Sequence, residues 1–149
     1  MDHATKDKII EKLLSEVERL KGLTAAPAAP MRAFMLRGCP FCTKYLVWMA
    51  EAGLMDQIQI VMETPEIREM LKAAGKEKPT FPCVEVAKGE FMYETLDLIE
   101  YFKKKHNITK DMAAFNFYDD GVFTIFRAMY GELGHAKVME TTMAMASWR

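Results

Sequence analysis

Cysteines are the side chains in this 149-residue sequence that are best suited to chemistry. Two of the three stand close together in the segment Cys39-Pro40-Phe41-Cys42, and the third, Cys83, is alone. Two cysteines at this spacing at the start of a helix can form and break a disulfide, because their sulfur atoms lie near each other. The same pair can also supply half of the ligands of a zinc ion. The motif alone therefore predicts either redox chemistry or metal binding.

The elements around the pair indicate which sulfur reacts. An apolar run from Met31 to Leu36 predicts a buried strand, and the pattern from Pro40 to Ala52 predicts a helix that begins at the pair. Proline is tolerated in the first helical turn because its missing N–H would have no partner there. A sulfur at a helix N-terminus faces unpaired backbone N–H groups and the positive end of the helix dipole, which favours the thiolate. We therefore expect Cys39 to be the nucleophile and Cys42 to be the resolving thiol.

Nearby charges favour the same assignment. Arg37 and Lys44 add positive charge near the pair, and no acidic residue stands between Arg32 and Trp48. A positive surrounding stabilises a thiolate. For both basic side chains, a solvent-facing position without any role at a site is the simpler alternative, above all for Lys44.

Zinc binding and an unreactive buried pair of cysteines are the alternatives to redox chemistry. Zinc needs two more ligands, and His3, His106 and His135 do not form a second ligand pair at the usual spacing. An unreactive pair leaves the position of the motif between a strand and a helix unexplained. The lone Cys83 is either a small apolar side chain in a strand or a third redox thiol.

Residues 31–106 alternate between strand and helix patterns in the order βαβαββα. After the first strand and helix, Ile58, Ile60 and Met62 alternate with polar residues, as expected for a half-buried strand. The later elements are a helix from Pro65 to Ala74, a strand with Val84 and Val86, a turn at Lys88-Gly89, a strand from Phe91 to Tyr93, and a helix from Thr95 to Lys104. Leu96, Ile99 and Phe102 are expected on the buried face of that last helix.

The two ends of the chain differ from this central part in composition. Residues 5 to 22 predict an amphipathic helix, which the Ala- and Pro-rich segment from Thr24 to Pro30 joins to the domain, so we divide the chain into 1–30, 31–106 and 107–149. In the last part, Asp119-Asp120-Gly121 predicts a turn with Asp120 as a helix cap. Helical spacing follows at Val122, Phe126, Met129 and Leu133. We expect the aromatic residues of this part to pack on the domain together with the first helix, through Leu13, Leu14, Val17, Phe115, Phe117, Tyr118, Phe123, Phe126 and Tyr130.

Composition limits the classes of function. The net charge of −1 gives no basic excess with which to neutralise phosphates, so nucleic-acid binding is not expected. Three cysteines are too few, and odd in number, for a secreted disulfide scaffold, which favours a reducing compartment. No signal peptide or membrane span is evident in the sequence. We therefore expect a cytoplasmic protein without a membrane partner.

Residues 31–106 resemble the glutaredoxins and the N-terminal, glutathione-binding domain of glutathione transferases. Cys39-Pro40-Phe41-Cys42 is similar to the glutaredoxin CPYC signature, and Thr80-Phe81-Pro82 to the segment with the cis-proline of the family. Glu94-Thr95 is similar to the transferase pair that opens a helix and holds the γ-glutamyl end of glutathione. The resemblance implies an α/β, thioredoxin-like fold. It also implies a catalytic pair, Cys39 and Cys42, and a glutathione site formed by Phe41, Phe81, Pro82, Glu94 and Thr95. Arg37 is added to this site as a candidate partner for one of the two glutathione carboxylates.

The function implied by this resemblance is that of a glutathione-dependent thiol–disulfide oxidoreductase. Its partners would be glutathione and disulfide-bearing proteins or small molecules. One alternative is a glutaredoxin-like homodimer that holds a [2Fe–2S] cluster through Cys39 and glutathione, although Pro40 is a family feature against it. Another is a transferase-like or scaffold protein whose flanking helices dock a partner and whose dithiol is vestigial. The 43 residues after His106 are fewer than the helical second domain of a transferase needs, which favours disulfide chemistry over conjugation. The terminal helices are the candidates for a homodimer contact.

Overall fold

The computed structural model describes residues 2–24 and 29–146, and it places a four-stranded sheet among helices. Most of the predicted linker, residues 25–28, lies outside the described residues. The helices and strands, in chain order, are α1 (His3–Thr24), β1 (Met31–Met35), α2 (Pro40–Glu51), a short 3₁₀ helix (Met55–Gln57), β2 (Ile58–Met62), α3 (Pro65–Ala73), β3 (Cys83–Ala87), β4 (Glu90–Tyr93), α4 (Thr95–Lys105), α5 (Ala113–Tyr118), a π-helical turn (Asp119–Phe123) and α6 (Thr124–Ala146).

The sheet has the strand order β2-β1-β3-β4. β1 runs parallel to β2 and antiparallel to β3, and β3 runs antiparallel to β4. The two inner strands are apolar and buried, at Ala33, Phe34 and Met35 in β1 and at Cys83 and Val84 in β3. This is the thioredoxin-like α/β arrangement, and it confirms both the fold class and the predicted βαβαββα order.

Two details of the predicted burial are wrong. Ile58 is buried, but Ile60 and Met62 are exposed, because β2 lies at the edge of the sheet. In α4 the buried positions are Leu98, Ile99 and Phe102, while Leu96 is exposed. Leu96 instead borders a surface groove described below.

The apolar stripe of α1 is exposed. The predicted helix is present, but Leu13, Leu14 and Val17 do not pack on the aromatic residues of the last part of the chain. The expectation that the first helix shares a core with residues 107–149 is therefore wrong for the described residues. Among the described helices, none is long and apolar enough to cross a membrane.

The C-terminal part is almost continuously helical. The predicted turn at Asp119-Asp120-Gly121 is wrong, because the chain runs through these residues as a π-helical turn into α6, and no side chain caps that turn. The aromatic residues do not all pack on the domain: Phe123 is buried, whereas Phe117 is 81% exposed. The helical spacing predicted for Val122, Met129 and Leu133 is present, but these three side chains lie on an exposed face.

Contacts with α2 hold the C-terminal part on the domain. The carboxylate of Glu51, at the end of α2, accepts hydrogen bonds from the backbone N–H groups of Ala114 and Phe115 at the start of α5. It thus satisfies donors that a helix N-terminus leaves unpaired. Farther along α2, the ammonium of Lys44 lies 2.7 Å from a carboxylate oxygen of Asp119 and 4.6 Å from the centre of the Phe123 ring. These contacts bring residues 113–123 beside the cysteine pair.

Candidate functional site

The cysteine pair lies where β1 ends and α2 begins. Cys39 has an extended backbone and immediately precedes the helix, and Pro40 occupies its first turn. Both sulfurs are free thiols, and the residues are only 4% and 3% exposed for Cys39 and Cys42. The backbone N–H of Leu36 points to the sulfur of Cys42 at 3.5 Å. The structure thus places the pair at the helix N-terminus predicted from the sequence.

The surroundings of Cys39 lower its pKa from 9.0 to about 6. The largest cause is a hydrogen bond from the Cys42 thiol, which opposes the cost of burying the charge. The backbone N–H groups of Cys42 and Phe41 and the charge of His135 lower it further. The same contact raises the pKa of Cys42, because that thiol must lose its proton next to an existing thiolate. The lowered pKa of Cys39 and the raised pKa of Cys42 agree with the assignment of Cys39 as the nucleophile.

The source of positive charge differs from the prediction. His135, from α6, contributes to the low pKa of Cys39, whereas Arg37 and Lys44 are not among its causes. The side chain of Lys44 is only 12% exposed, so a solvent-facing position is wrong. Its charge is offset by Asp119, an acidic residue that is distant in sequence and that the local charge pattern around the motif did not include.

The segment before β3 lies against the nucleophile. The peptide bond between Phe81 and Pro82 is cis, as the resemblance implied. The sulfur of Cys39 lies 3.7 Å from the carbonyl oxygen of Phe81. Cys83 follows and is completely buried, and burial raises its pKa to about 11. A neutral, buried thiol is a poor nucleophile, which favours the structural interpretation of Cys83.

A groove of about 500 Å³ opens beside the pair. Five of the predicted glutathione-site residues border it, and Arg37 does not. The complete lining consists of Phe41, Lys44, Thr80, Phe81, Pro82, Glu94, Thr95, Leu96, Asp97, Phe123 and Arg127. The structure therefore brings together three segments that are far apart in the sequence and adds a fourth, from the C-terminal part.

The N-terminus of α4 forms one wall of the groove. Glu94 precedes the helix with a φ of +69°, a backbone conformation that non-glycine residues rarely adopt, and no side chain caps the helix. The hydroxyl of Thr95 donates a hydrogen bond to the carbonyl oxygen of Phe41 at 3.2 Å, which fixes this helix end beside the cysteine motif. A helix start without a side-chain cap presents backbone N–H donors that suit a carboxylate.

Arginine reaches the groove from α6 and not from the cysteine loop. Arg37 is exposed and lies outside the groove, and its backbone carbonyl is 2.9 Å from Nε2 of His135. Arg127, from the first half of α6, borders the groove and is exposed. The structure therefore does not bring Arg37 to the groove that the other predicted site residues border, and the arginine at that groove is Arg127.

The second half of α6 covers the cysteine loop. The helix is kinked at Gly134, where φ is +75° and ψ is 160°, and His135 immediately follows the kink. Farther on, Met139 packs so closely on Gly38 that a Cβ at that glycine would lie 2.7 Å from the methionine sulfur. Tyr130 lies near enough to both thiols for their charges to raise its pKa, although burial is the larger cause. This cover explains why Cys39 is so little exposed.

Four side chains around the site were not assigned to it from the sequence: Tyr130 and His135 near the thiols, Arg127 at the groove, and Asp119 beside Lys44. They come from residues 113–146 and reach the pair only through the fold. The sequence suggested other roles for two of them: His135 was considered only as a zinc ligand, and Tyr130 only as an aromatic residue that packs on the domain. In the described residues, no three His, Cys, Asp or Glu side chains form a group that could hold a metal ion.

The hydrogen bond between the two thiols leads to a test by pH. Replacement of Cys42 by alanine removes the largest cause of the low Cys39 pKa, so that pKa should rise from about 6 by about one unit or more. The pH at which alkylation of Cys39 by iodoacetamide reaches half its maximal rate reports this pKa. Cys42→Ser is the matched control, because its hydroxyl still donates and the shift should be smaller. Equal profiles for the alanine variant and the unaltered protein would contradict the assignment.

The fold and the site define a thioredoxin-like domain with a dithiol at the start of its first domain helix. Residues 38–105 match the family of the glutathione S-transferase N-terminal domain, which confirms the resemblance over this segment. Glutathione transferase Omega 3C from Trametes versicolor is a similar solved structure, with 22% identity, a TM-score of 0.45 and coverage of 64% of this chain and 41% of that chain. For Omega 2C from the same organism the values are 18%, 0.42, 74% and 55%. The chain thus spans about half the length of these two proteins, and no curated protein matches it.

Proposed function

We propose that this protein is a glutathione-dependent thiol–disulfide oxidoreductase in which Cys39 is the nucleophile. The observation that carries the proposal is the position of Cys39. Its pKa is lowered to about 6, and it lies at a helix N-terminus directly beside a groove bordered by Pro82, Thr95 and Arg127. A thiolate at neutral pH is the species that attacks disulfides. The match of residues 38–105 to a glutathione transferase domain supports glutathione as the co-substrate.

The proposed reaction begins with a mixed disulfide of glutathione. The Cys39 thiolate attacks the glutathione sulfur, forms a Cys39–glutathione disulfide and releases the substrate as a thiolate, which takes a proton from water. The thiolate of a second glutathione then attacks the bound glutathione sulfur, which yields oxidised glutathione and restores the Cys39 thiolate. Overall, the substrate sulfur is reduced to a thiol and the sulfur of the second glutathione is oxidised, so the mixed disulfide is exchanged for oxidised glutathione. A reducing, cytoplasmic compartment would supply the glutathione.

Cys42 offers a second route for the same step. Its thiol can lose its proton to solvent and attack the Cys39 sulfur, which releases glutathione and forms an internal disulfide that two glutathiones later reduce. The raised pKa of Cys42 in the resting state is caused first by its contact with Cys39. That cause disappears once Cys39 is held in a mixed disulfide. In the resting state, therefore, Cys42 acts as a hydrogen-bond donor to the nucleophile.

The groove has groups that suit the two carboxylates of glutathione. The N-terminus of α4 at Thr95 provides backbone N–H groups for one carboxylate. Arg127, which also borders the groove, provides a guanidinium for the other. The other basic side chain that borders the groove, Lys44, is already paired with Asp119.

Turnover of a glutathione mixed disulfide tests the proposal. With glutathione, glutathione reductase and NADPH, the purified protein should reduce the mixed disulfide of glutathione and 2-hydroxyethanethiol. Arg127→Gln should raise KM for this substrate by about fivefold to tenfold with little change in kcat, because one charged hydrogen bond is lost. Arg37→Gln is the matched control and should leave KM unchanged.

Turnover of the unaltered protein tests the proposed function, and the KM values of the variants test the position of Arg127 in the glutathione site. Absence of turnover in the unaltered protein would contradict the proposed function itself. Turnover with equal KM values for Arg127→Gln and the unaltered protein would leave the function standing and remove Arg127 from the glutathione site. A rise of KM in Arg37→Gln would instead return that residue to the site.

A further inference from the structure

The exposed apolar stripe of α1 is a feature that thiol chemistry does not use. It contains six aliphatic side chains, each between 43% and 62% exposed: Ile9, Ile10, Leu13, Leu14, Val17 and Leu20. The positions between them carry Lys, Glu and Arg apart from Ser15, so the polar face of the helix is highly charged. A continuous apolar stripe of this size on a charged helix marks a contact surface.

The spacing within the stripe is that of a coiled coil. Ile10, Leu13, Val17 and Leu20 are separated by three, four and three residues, which places them alternately at the a and d positions of two heptads. The a positions hold the β-branched residues Ile10 and Val17, and both d positions hold leucine. Among parallel coiled coils, this combination favours two strands.

The flanking positions match the same geometry. In a parallel pair, each g position lies next to the e position five residues later in the other helix. This places Ile9 next to Leu14 of a second copy, and Glu16 next to Lys21 of a second copy, so that an apolar pair is followed by an ion pair. An antiparallel pair aligned on the same apolar seam would instead bring Glu16 near Glu16 of the second copy.

We propose that α1 pairs with α1 of a second copy of this chain as a short parallel coiled coil. Glu16 and Lys21 already have partners in their own helix, Arg19 at 2.6 Å and Glu18 at 3.4 Å. These exposed pairs are weak and can be exchanged at little cost. Two apolar heptads form a short seam, so the dimer is reversible and its population depends on protein concentration.

Sedimentation of the full chain over a range of concentrations tests this pairing. The unaltered protein should approach twice the chain mass of 17.1 kDa as concentration rises. Leu13→Asp puts a charge into the seam and should raise the dimer dissociation constant at least about 100-fold. Ser15→Asp, on the opposite face, is the matched control with the same introduced residue and should leave the dissociation constant unchanged.

A charge exchange tests the parallel arrangement. Glu16→Lys alone and Lys21→Glu alone should each raise the dissociation constant roughly fivefold, because each places like charges next to each other twice per dimer. The double variant should restore most of the affinity. Each exchange also removes an ion pair within the helix, so recovery in the double variant can come only from contacts between copies.

Three results would overturn the proposal. The first is a protein that remains a monomer at all concentrations. The second is a dimer that Leu13→Asp does not weaken, since the copies would then meet through another surface. The third is a double variant with no recovery, which would exclude the parallel pairing of Glu16 with Lys21.

Discussion

Cys39→Ser is expected to lower the rate of glutathione mixed-disulfide reduction at least about 10³-fold, whereas Cys42→Ser retains a substantial part of it. A serine hydroxyl stays protonated at neutral pH and cannot take the place of a thiolate. In Cys42→Ser, the hydroxyl still donates a hydrogen bond toward Cys39. A second glutathione then completes the reaction without the resolving thiol.

The control for this pair of variants is Cys83→Ser. Cys83 is buried in β3 and its pKa is raised to about 11, so its sulfur should take no part, and the rate for the remaining folded protein should stay near that of the unaltered protein. Mass spectrometry of the intact chain after exposure to oxidised glutathione should find a glutathione adduct on Cys39 in Cys42→Ser. Retained turnover in Cys39→Ser would remove Cys39 as the nucleophile, whatever the other variants do.

The part of the fold that local signals determine was predictable from the sequence. Pro40 and Pro65 at the first turns of α2 and α3 and the apolar run of β1 predicted the order of elements, because each signal depends only on neighbouring residues. The position of Cys39 at a helix N-terminus followed from the same rules. Burial in the edge strand was not predictable, since whether Ile60 faces a neighbour depends on the final order of strands.

The charge environment of the site was not predictable, because long-range packing decides it. Arg37 is next to the motif in sequence yet lies outside the groove, whereas Arg127 borders it. Lys44 pairs with Asp119, which follows α5, and Glu51 binds the start of α5 to the end of α2. His135 reaches the cysteine loop because α6 bends at Gly134. Local sequence contains no trace of such contacts between distant segments.

Removal of the second half of α6 is expected to increase the alkylation rate of Cys39 about tenfold or more. A chain that ends after Leu133 lacks His135 and Met139, the residues that lie on Arg37 and Gly38. Cys39 is only 4% exposed in the covered state, so reagents reach it when the segment opens. In the truncated chain the site is permanently open, so the alkylation rate of Cys39 is no longer limited by how often the segment opens.

This truncation has two opposite effects on the alkylation rate of Cys39, and the larger effect decides the outcome. Loss of the His135 charge raises the pKa of Cys39, which lowers the thiolate fraction. That charge is the smallest cause of the low Cys39 pKa, however. The hydrogen bond from Cys42 and the backbone N–H groups remain. At about pH 8 the thiolate therefore still predominates, and improved access determines the rate.

Iodoacetamide labelling at about pH 8, followed by mass spectrometry, measures the change. The matched control is His135→Gln in the full chain, which removes the charge but keeps the cover, and it should alkylate at nearly the original rate at this pH. Thermal unfolding of both proteins shows whether the domain stays folded. We expect that it does, because the residues of the hydrophobic core precede the removed segment. If the truncated chain is folded and labels no faster, α6 does not limit access to Cys39. A faster rate would mean that bulky disulfide substrates reach the nucleophile only when this segment moves away.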